Sequence, residues 1–304
     1  KVAKTPEMLP KEYARPALME GLRLEEALGV NPFKFGMVGS TDNHTALPTS
    51  REENNFSKAS YVEPSPDRAL HYLIKGARPE LSMLERDVGA SGLAAVWARE
   101  NTRESIWDAM KRRETYATTG TRLLVRVFAG WDFEPEEVQR PDFAREGYAR
   151  GVPMGGDLTA APAGKAPSFM IRSLRDADGA NLDRIQVVKG WLDSGGDVHE
   201  RIYDVACSDE RAIADRRCDG LVGNTVNVAD ASYTNTIGDP LLTAHWTDPD
   251  FDPGQRAFYY VRVIEIPTPR WTAYDAKFFG TVMPDDTVMQ LQDRAYTSPV
   301  WYTP

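Results

Sequence analysis

No stretch of this 304-residue sequence is apolar for long enough to cross a bilayer, so no membrane span is expected. Basic charge is in deficit. Against 45 Asp and Glu stand 36 Lys and Arg, a net charge of -9, which argues against a nucleic-acid binder because phosphate neutralisation needs a basic face. The one obvious basic run, Lys111-Arg112-Arg113, suits the last turn of a helix, where the dipole favours cations. Cysteine is scarce, with Cys207 and Cys218 only and no CxxC pattern, so zinc held by sulfur is not expected. Four histidines are present and none belongs to an HxH or HExxH motif. The glycines of MGGDL (154–158) lack a Walker lysine, which makes that segment a turn and not a phosphate loop. There is no internal repeat. No initiator Met heads the sequence, which opens at Lys1 as a processed, cleaved or truncated start would.

What is present reads as a soluble globular protein with room for two domains: 41% hydrophobic and 27% charged residues exclude a disordered or fibrous chain. The texture changes near residue 120. Before it, helix and strand signals alternate as in an α/β protein. Leu18, Leu22 and Leu28 form a helical stripe over residues 16–28, with Pro16 in the first turn and Gly29 as the stop. FKFGMVGS (33–40) then predicts a short buried strand. Residues 45–90 are irregular, with prolines at 48, 64, 66 and 79, a loop long enough to be functional or poorly ordered. SGLAAVWA (91–98) predicts a strand, and Asn101 with Glu104 the N-terminal cap of a helix running to about Arg113. From TRLLVRVFAGW onward the pattern is strand and turn. Strands are expected near 168–174, 184–192, 201–206, 241–246 and 257–266, which suggests a β-sandwich. The domain division is therefore 1–120 and 121–304.

The sharpest cluster of chemistry is Gly39-Ser40-Thr41-Asp42-Asn43-His44. At the end of a strand, alternation sends residues i and i+2 to one side, so the Asp42 carboxylate and the His44 imidazole can converge. Asp with His is an ordinary ligand set for zinc, manganese or iron. The bland alternative is an Asp or Asn capping the next element with His44 on the surface. Asn43 and Arg51 lie close enough in sequence to touch a polar or anionic substrate, although Arg51 suits a solvated loop equally well. Arg113, Tyr116 and Thr118 are weaker candidates, with core packing an equal alternative for Tyr116. Pro267-Thr268-Pro269-Arg270-Trp271 reads as a rigid turn with an Arg–Trp contact at an interdomain seam. His71, His199 and His245 have no ligand-like neighbours in sequence. Cys207 and Cys218 flank the polar segment SDERAIADRR, a spacing suited to a hairpin-closing disulfide and an oxidising compartment, or to two unrelated reduced thiols.

The run ARPALMEGLRLEEALGVNPFKFGMVGSTDNHT resembles the second half of a bacterial family known as domain-of-unknown-function family 3604. The likeness continues through GLAAVWARENTRESIWDAMKRRETYATTG, GVPMGGDL, GANLDRIQVVKGWLD, YTNTIGDP, TDPDFDPGQRAFYYVRVIEIPTPRW and RAYTSPVWYTP, essentially the whole chain. That family is similar to PHP (polymerase-and-histidinol-phosphatase) domains and to amidohydrolase-type metallohydrolases. The resemblance implies an α/β plus all-β fold: the C-terminal part of a distorted (β/α) PHP-like barrel followed by a β-sandwich domain. It also implies a cluster of two or three divalent metal ions, in which the DxH motif at Asp42 and His44 supplies two ligands. Further ligands are expected from an N-terminal half of the same protein that is missing here. Metal-bound water would then attack a phosphoester, or a carbamate, ester or amide, in a small-molecule substrate. Members of the family often look exported, which together with the cysteines gives a periplasmic or secreted expectation. The competing reading is a non-catalytic exported β-rich binding or structural module, in which Asp42 has no metal to hold.

Overall fold

The structure is a computed structural model that describes residues 5–62 and 65–304; Lys1, at which the sequence opens, and Pro64 lie outside the described residues. The first helix, α1 (Ala14–Leu28), closes on Gly29 in the left-handed conformation, at φ 74°. A small ladder of β1 (Tyr72–Ile74) and β2 (Met83–Leu84) interrupts the irregular segment that follows. Then come β3 (Leu93–Val96), α2 (Arg103–Lys111), β4 (Thr115–Thr118), β5 (Leu124–Gly130) and α3 (Phe143–Arg150). The central strands are β6 (Gly151–Pro153), β7 (Asp157–Thr159), β8 (Ser168–Leu174), β9 (Leu182–Leu192) and β10 (Val198–Cys207). A two-residue hairpin, β11 (Ile213–Ala214) with β12 (Arg217–Cys218), precedes β13 (Leu241–Thr247) and β14 (Ala257–Glu265). The chain ends in β15 (Thr268–Pro269), α4 (Trp271–Phe279), β16 (Gln290–Leu291), β17 (Arg294–Thr297) and β18 (Val300–Thr303).

The largest sheet has the order β10-β9-β14-β17-β4-β3, with β18 pairing both β14 and β7. Every ladder in it is antiparallel except β18 with β7. A second antiparallel sheet runs β13-β8-β5-β6. Alternation explains how the two share a core. Val125 and Val127 of β5 and Phe169 and Ile171 of β8 meet Ile185 and Val187 of β9 and Tyr259 and Val261 of β14, all buried. The residues between them point the other way. Val188, Phe258 and Tyr260 take Leu18 and Leu22 of α1, a pair one helical turn apart, onto the far face of the large sheet. Phe128 and Met170 do the same for Phe143 of α3 on the small sheet.

The expected remnant of a (β/α) barrel is not found. The sheets are open, and among the described residues there is no closed barrel. In a parallel barrel a helix carries the chain back so that the next strand starts at the same end as the last. Here Val96 faces Thr115, and the Trp97 amide donates to the Glu114 carbonyl at 3.0 Å, so the chain re-enters the sheet where it left. The intervening α2 lies within a connecting loop and does not cross over. Nor is 33–40 a strand. Its glycines permit close approaches a strand neighbour would not need: a Cβ at Gly39 would stand 2.4 Å from the Leu93 carbonyl oxygen and 2.7 Å from that of Thr118. Leu93 and Thr118 are partners across the β3–β4 ladder, so the segment crosses the ladder at close range. Its Met37 amide donates to Ser298 Oγ at 2.8 Å instead of to a neighbouring strand.

Two smaller corrections concern helices. The cap of α2 is Thr102, whose hydroxyl accepts from the Ser105 amide at 3.3 Å, not Asn101. Two helices, α3 and α4, lie where only strands and turns were expected.

Candidate functional site

The chain enters the candidate site through a run of turns made by its own short polar side chains. Ser40 Oγ accepts from the Asp42 amide at 3.2 Å, Thr41 Oγ1 from the Asn43 amide at 3.3 Å, and Asn43 Oδ1 from the Thr45 amide at 2.8 Å. Ser, Thr and Asn side chains compete for local backbone in this way, which breaks strand geometry. Asp42 takes a left-handed backbone, φ 47°, a region that Asp tolerates better than most residues. This turn, and not the alternation of a strand, brings the two side chains together. Asp42 Oδ1 stands 3.4 Å from His44 Nε2, with both side chains open to solvent at 74% and 64% exposure.

The loop rests on residues 57–59. His44 donates its amide to the Lys58 carbonyl at 2.8 Å and forms an isolated parallel bridge with Ala59. Asn43 Nδ2 donates to the Ser57 carbonyl at 2.6 Å. Lys58 Nζ reaches Asp42 Oδ2 at 2.7 Å and the Thr41 carbonyl at 3.4 Å. That ammonium, first by its hydrogen bond and then by its charge, holds the Asp42 carboxyl below the ordinary carboxylate range, with His44 adding a smaller contribution. Behind Lys58 lies Glu85, 2% exposed, whose Oε1 accepts from Ser57 Oγ at 2.7 Å and from the Lys58 amide at 2.8 Å.

Asp42 Oδ1 and His44 Nε2 are the atoms that could hold a cation. Two donors about 2.0–2.1 Å from a tetrahedral metal lie roughly 3.3–3.4 Å apart, so their observed separation of 3.4 Å fits two vertices of such a shell. The residue types fit as well. Number is where the match stops: among the described residues no group of three or more His, Cys, Asp or Glu side chains is arranged to hold a metal.

The remaining sequence-predicted residues are placed elsewhere. Asn43 spends its amide oxygen on Thr45 and its amide nitrogen on the Ser57 carbonyl. Arg51 pairs with Asp178 at 2.9 Å and Glu53 at 3.4 Å, lining a different cavity. Tyr116 is buried and donates to the Leu123 carbonyl, Thr118 donates to the Thr121 carbonyl, and Arg113 pairs with Asp157. Two of the other histidines do have acidic neighbours: His71 lies 3.4 Å from Asp67, and His199, stacked on Trp191, lies 2.6 Å from Asp193. His245 contacts the Phe133 carbonyl. Arg270 donates to the carbonyls of Arg86 and Val88, and Trp271 Nε1 to that of Val88, tying α4 to the segment before residue 120. Cys207 and Cys218 are joined, Cα–Cα 5.8 Å, closing the end of β10 onto β12.

Sequence reasoning passed over two further acids. A cavity of about 290 Å³ is lined by Arg51, Glu52, Tyr233, Glu265, Tyr274 and Asp293, and an adjoining one of about 510 Å³ shares Glu52 and Asp293 and reaches Gly39 and Ser40. Burial, then the neighbouring Asp293, pushes Glu265 up to about 8 despite the hydrogen bond from Thr121 Oγ1. Burial likewise pushes Asp293 up to about 7 against a bond from Thr119 Oγ1. Nothing in their local sequence marks either residue; the signal is in the folding of β14 and β17 around them.

No curated protein matches the sequence. The model of domain-of-unknown-function family 3604, described as a protein of unknown function, matches residues 1–304, and the chain belongs to that family.

Proposed function

We propose that Asp42 and His44 are two ligands of a divalent-metal site in a hydrolase, with the other donors coming from outside the described residues, in keeping with a further N-terminal part of the same protein. The observation that carries this reading is the 3.4 Å between Asp42 Oδ1 and His44 Nε2, on side chains that face outward and leave room for a third donor. When bound, zinc, manganese or iron would supply a water ionised near neutral pH and would polarise a phosphoryl or carbonyl oxygen. The Lys58 ammonium lowers the proton affinity of the Asp42 carboxyl, which favours the ionised oxygen that a cation would need. The His44 amide bond to Lys58 fixes the main chain from which the imidazole projects. The substrate class is a small phosphoester, or a carbamate, ester or amide. The bond between Cys207 and Cys218 supports an oxidising compartment, the periplasm or outside.

The test is uptake of Zn²⁺ and Mn²⁺ by equilibrium dialysis and elemental analysis, followed by a panel of phosphoesters and carboxyl esters. The expected result is bound metal in the wild-type protein that carries the further N-terminal part, and its loss in Asp42→Ala and His44→Ala. Equal uptake in all three would refute the assignment. A second reading, a non-catalytic exported binding module, is favoured by the 290 Å³ cavity between residues 50–53 and the β-rich part, with the buried Glu265, the half-buried Asp293 and two tyrosines. That reading expects no effect of replacing Asp42.

A further inference from the structure

Resting on the metal-site reading, we propose that Lys58 and Glu85 are its positioning residues: Glu85 fixes the strap 57–59, and Lys58 holds Asp42 Oδ2 so that Oδ1 is the oxygen left for a cation. A carboxylate on an exposed loop is free to turn, and a ligand with that freedom must be ordered each time it binds. Asp42 is such a residue, yet its partner is not. The Lys58 side chain is 11% exposed where that of Asp42 is 74% exposed, so the lysine is the more enclosed end of the pair. It differs in this from surface ion pairs whose two ends both move.

Lys58 owes its fixed position to the backbone on either side of it. One oxygen of Glu85 takes the Lys58 amide at 2.8 Å and the hydroxyl of the preceding Ser57 at 2.7 Å. The strap in turn grips the loop at three consecutive residues: Lys58 Nζ on the Asp42 carboxylate, the Ser57 carbonyl on the Asn43 amide, and the Lys58 carbonyl on the His44 N–H. A shift of the strap therefore moves both ligands together. Glu85 Oε2 is buried with no hydrogen-bond partner among the described residues, although a buried acceptor left unmatched is costly. The carboxylate is thus held where it serves Ser57 and Lys58, at the expense of its own second oxygen. Outer partners that orient a metal's ligands commonly matter about 10–100-fold in metal affinity.

The protein with the further N-terminal part that the metal reading calls for is tested with Co²⁺ as the probe, read by titration and visible spectrum, alongside hydrogen exchange at the His44 amide. Glu85→Ala is expected to speed His44 exchange about tenfold and to weaken Co²⁺ binding about tenfold. Glu85→Gln, which keeps an acceptor oxygen, is expected to restore both. Lys58→Met frees Oδ2 and should change the spectrum of bound Co²⁺, whereas Lys58→Arg should preserve it. The proposal is overturned if Glu85→Ala leaves both readouts at wild-type values, or if Lys58→Met gives the wild-type spectrum. Should Glu85→Ala also lose amide protection in β9 and β14, Ser57→Ala decides: it removes one bond to Glu85 and must move both readouts the same way by less. If the wild-type protein with its further N-terminal part takes up no Co²⁺, the metal reading falls, and the exchange comparison at His44 still decides whether Glu85 holds the strap.

Discussion

Replacing Glu265 with Gln should flatten the dependence of stability on pH between 5 and 9. The side chain is 2% exposed, and it accepts a hydrogen bond from Thr121 Oγ1, which a Gln oxygen can also accept. Burial, followed by the charge of Asp293, raises the carboxyl from an ordinary 4.5 to about 8. The sign follows from proton counting. Between those two values the folded chain keeps a proton that the unfolded chain has released, so stability is fully present below about 4.5 and falls as pH climbs to about 8. At about 1.4 kcal/mol per pH unit, the span from 4.5 to 8 sets an upper limit of roughly 5 kcal/mol for this one group. Asp293, raised to about 7 by the same burial, adds to the slope over a slightly lower range. Urea unfolding at pH 5, 7 and 9 reads the effect directly. The wild-type chain should lose about 3–5 kcal/mol over that range, and Glu265→Gln at least about 2 kcal/mol less. Parallel losses in the two chains would show that Glu265 is ionised in the folded state at neutral pH, and the argument would fail.

Two further outcomes are expected. Reducing the Cys207–Cys218 bond, which closes an 11-residue separation, should cost about 2–3 kcal/mol in urea unfolding, and a thiol count without reductant should find none free; two free thiols would end that account. Gly92→Ala would set a Cβ 2.1 Å from the Ser40 carbonyl oxygen, so the backbone entering the Asp42 loop must move, at about 1–3 kcal/mol. Gly89→Ala, where a Cβ meets nothing within 4 Å, should stay within about 0.5 kcal/mol, and equal effects at the two glycines would refute the close-packing argument.

Long, periodic elements were legible in the sequence. The apolar stripe and Gly29 located α1 to within two residues, and the expected strand at 184–192 begins at Leu182. Such segments carry their own evidence, because one face must be apolar to be buried. The segment 33–40 carried misleading evidence of the same kind. Phe33, Phe35, Met37 and Val38 look like a buried strand, but Gly36 and Gly39 are there for close passage over β3 and β4, and no local pattern distinguishes that use of glycine. Helix α4 was hidden for the opposite reason. Trp271, Thr272, Ala273 and Asp275 are all buried, so it shows no clean polar face, and it follows a Pro-Thr-Pro run that reads as a turn. In α3 a glycine sits mid-helix, which weakens the helical signal. A Cβ at Gly147 would stand 2.3 Å from the Phe128 ring, so packing and not propensity chose that residue.

The candidate site divides along the same line. An acid and an imidazole two residues apart are visible in one glance at the sequence, because the chemistry they share is local. The groups that give them a fixed geometry are not local: Lys58 is 16 residues from Asp42, and Glu85 a further 27 from Lys58. No spacing rule connects a lysine in a polar loop to a glutamate beyond it, and each taken alone suits a solvated surface. The burial of Glu85, shared in that segment by Arg68, and the reach of Lys58 to Asp42 become visible only in the folded chain. The irregularity of that segment therefore has a physical cause. Apart from the short β1–β2 ladder, its backbone bonds close single 3-10 turns or, at residues 57–59, go to Glu85 and to the Asp42 loop, and a segment used in that way has no periodicity to display.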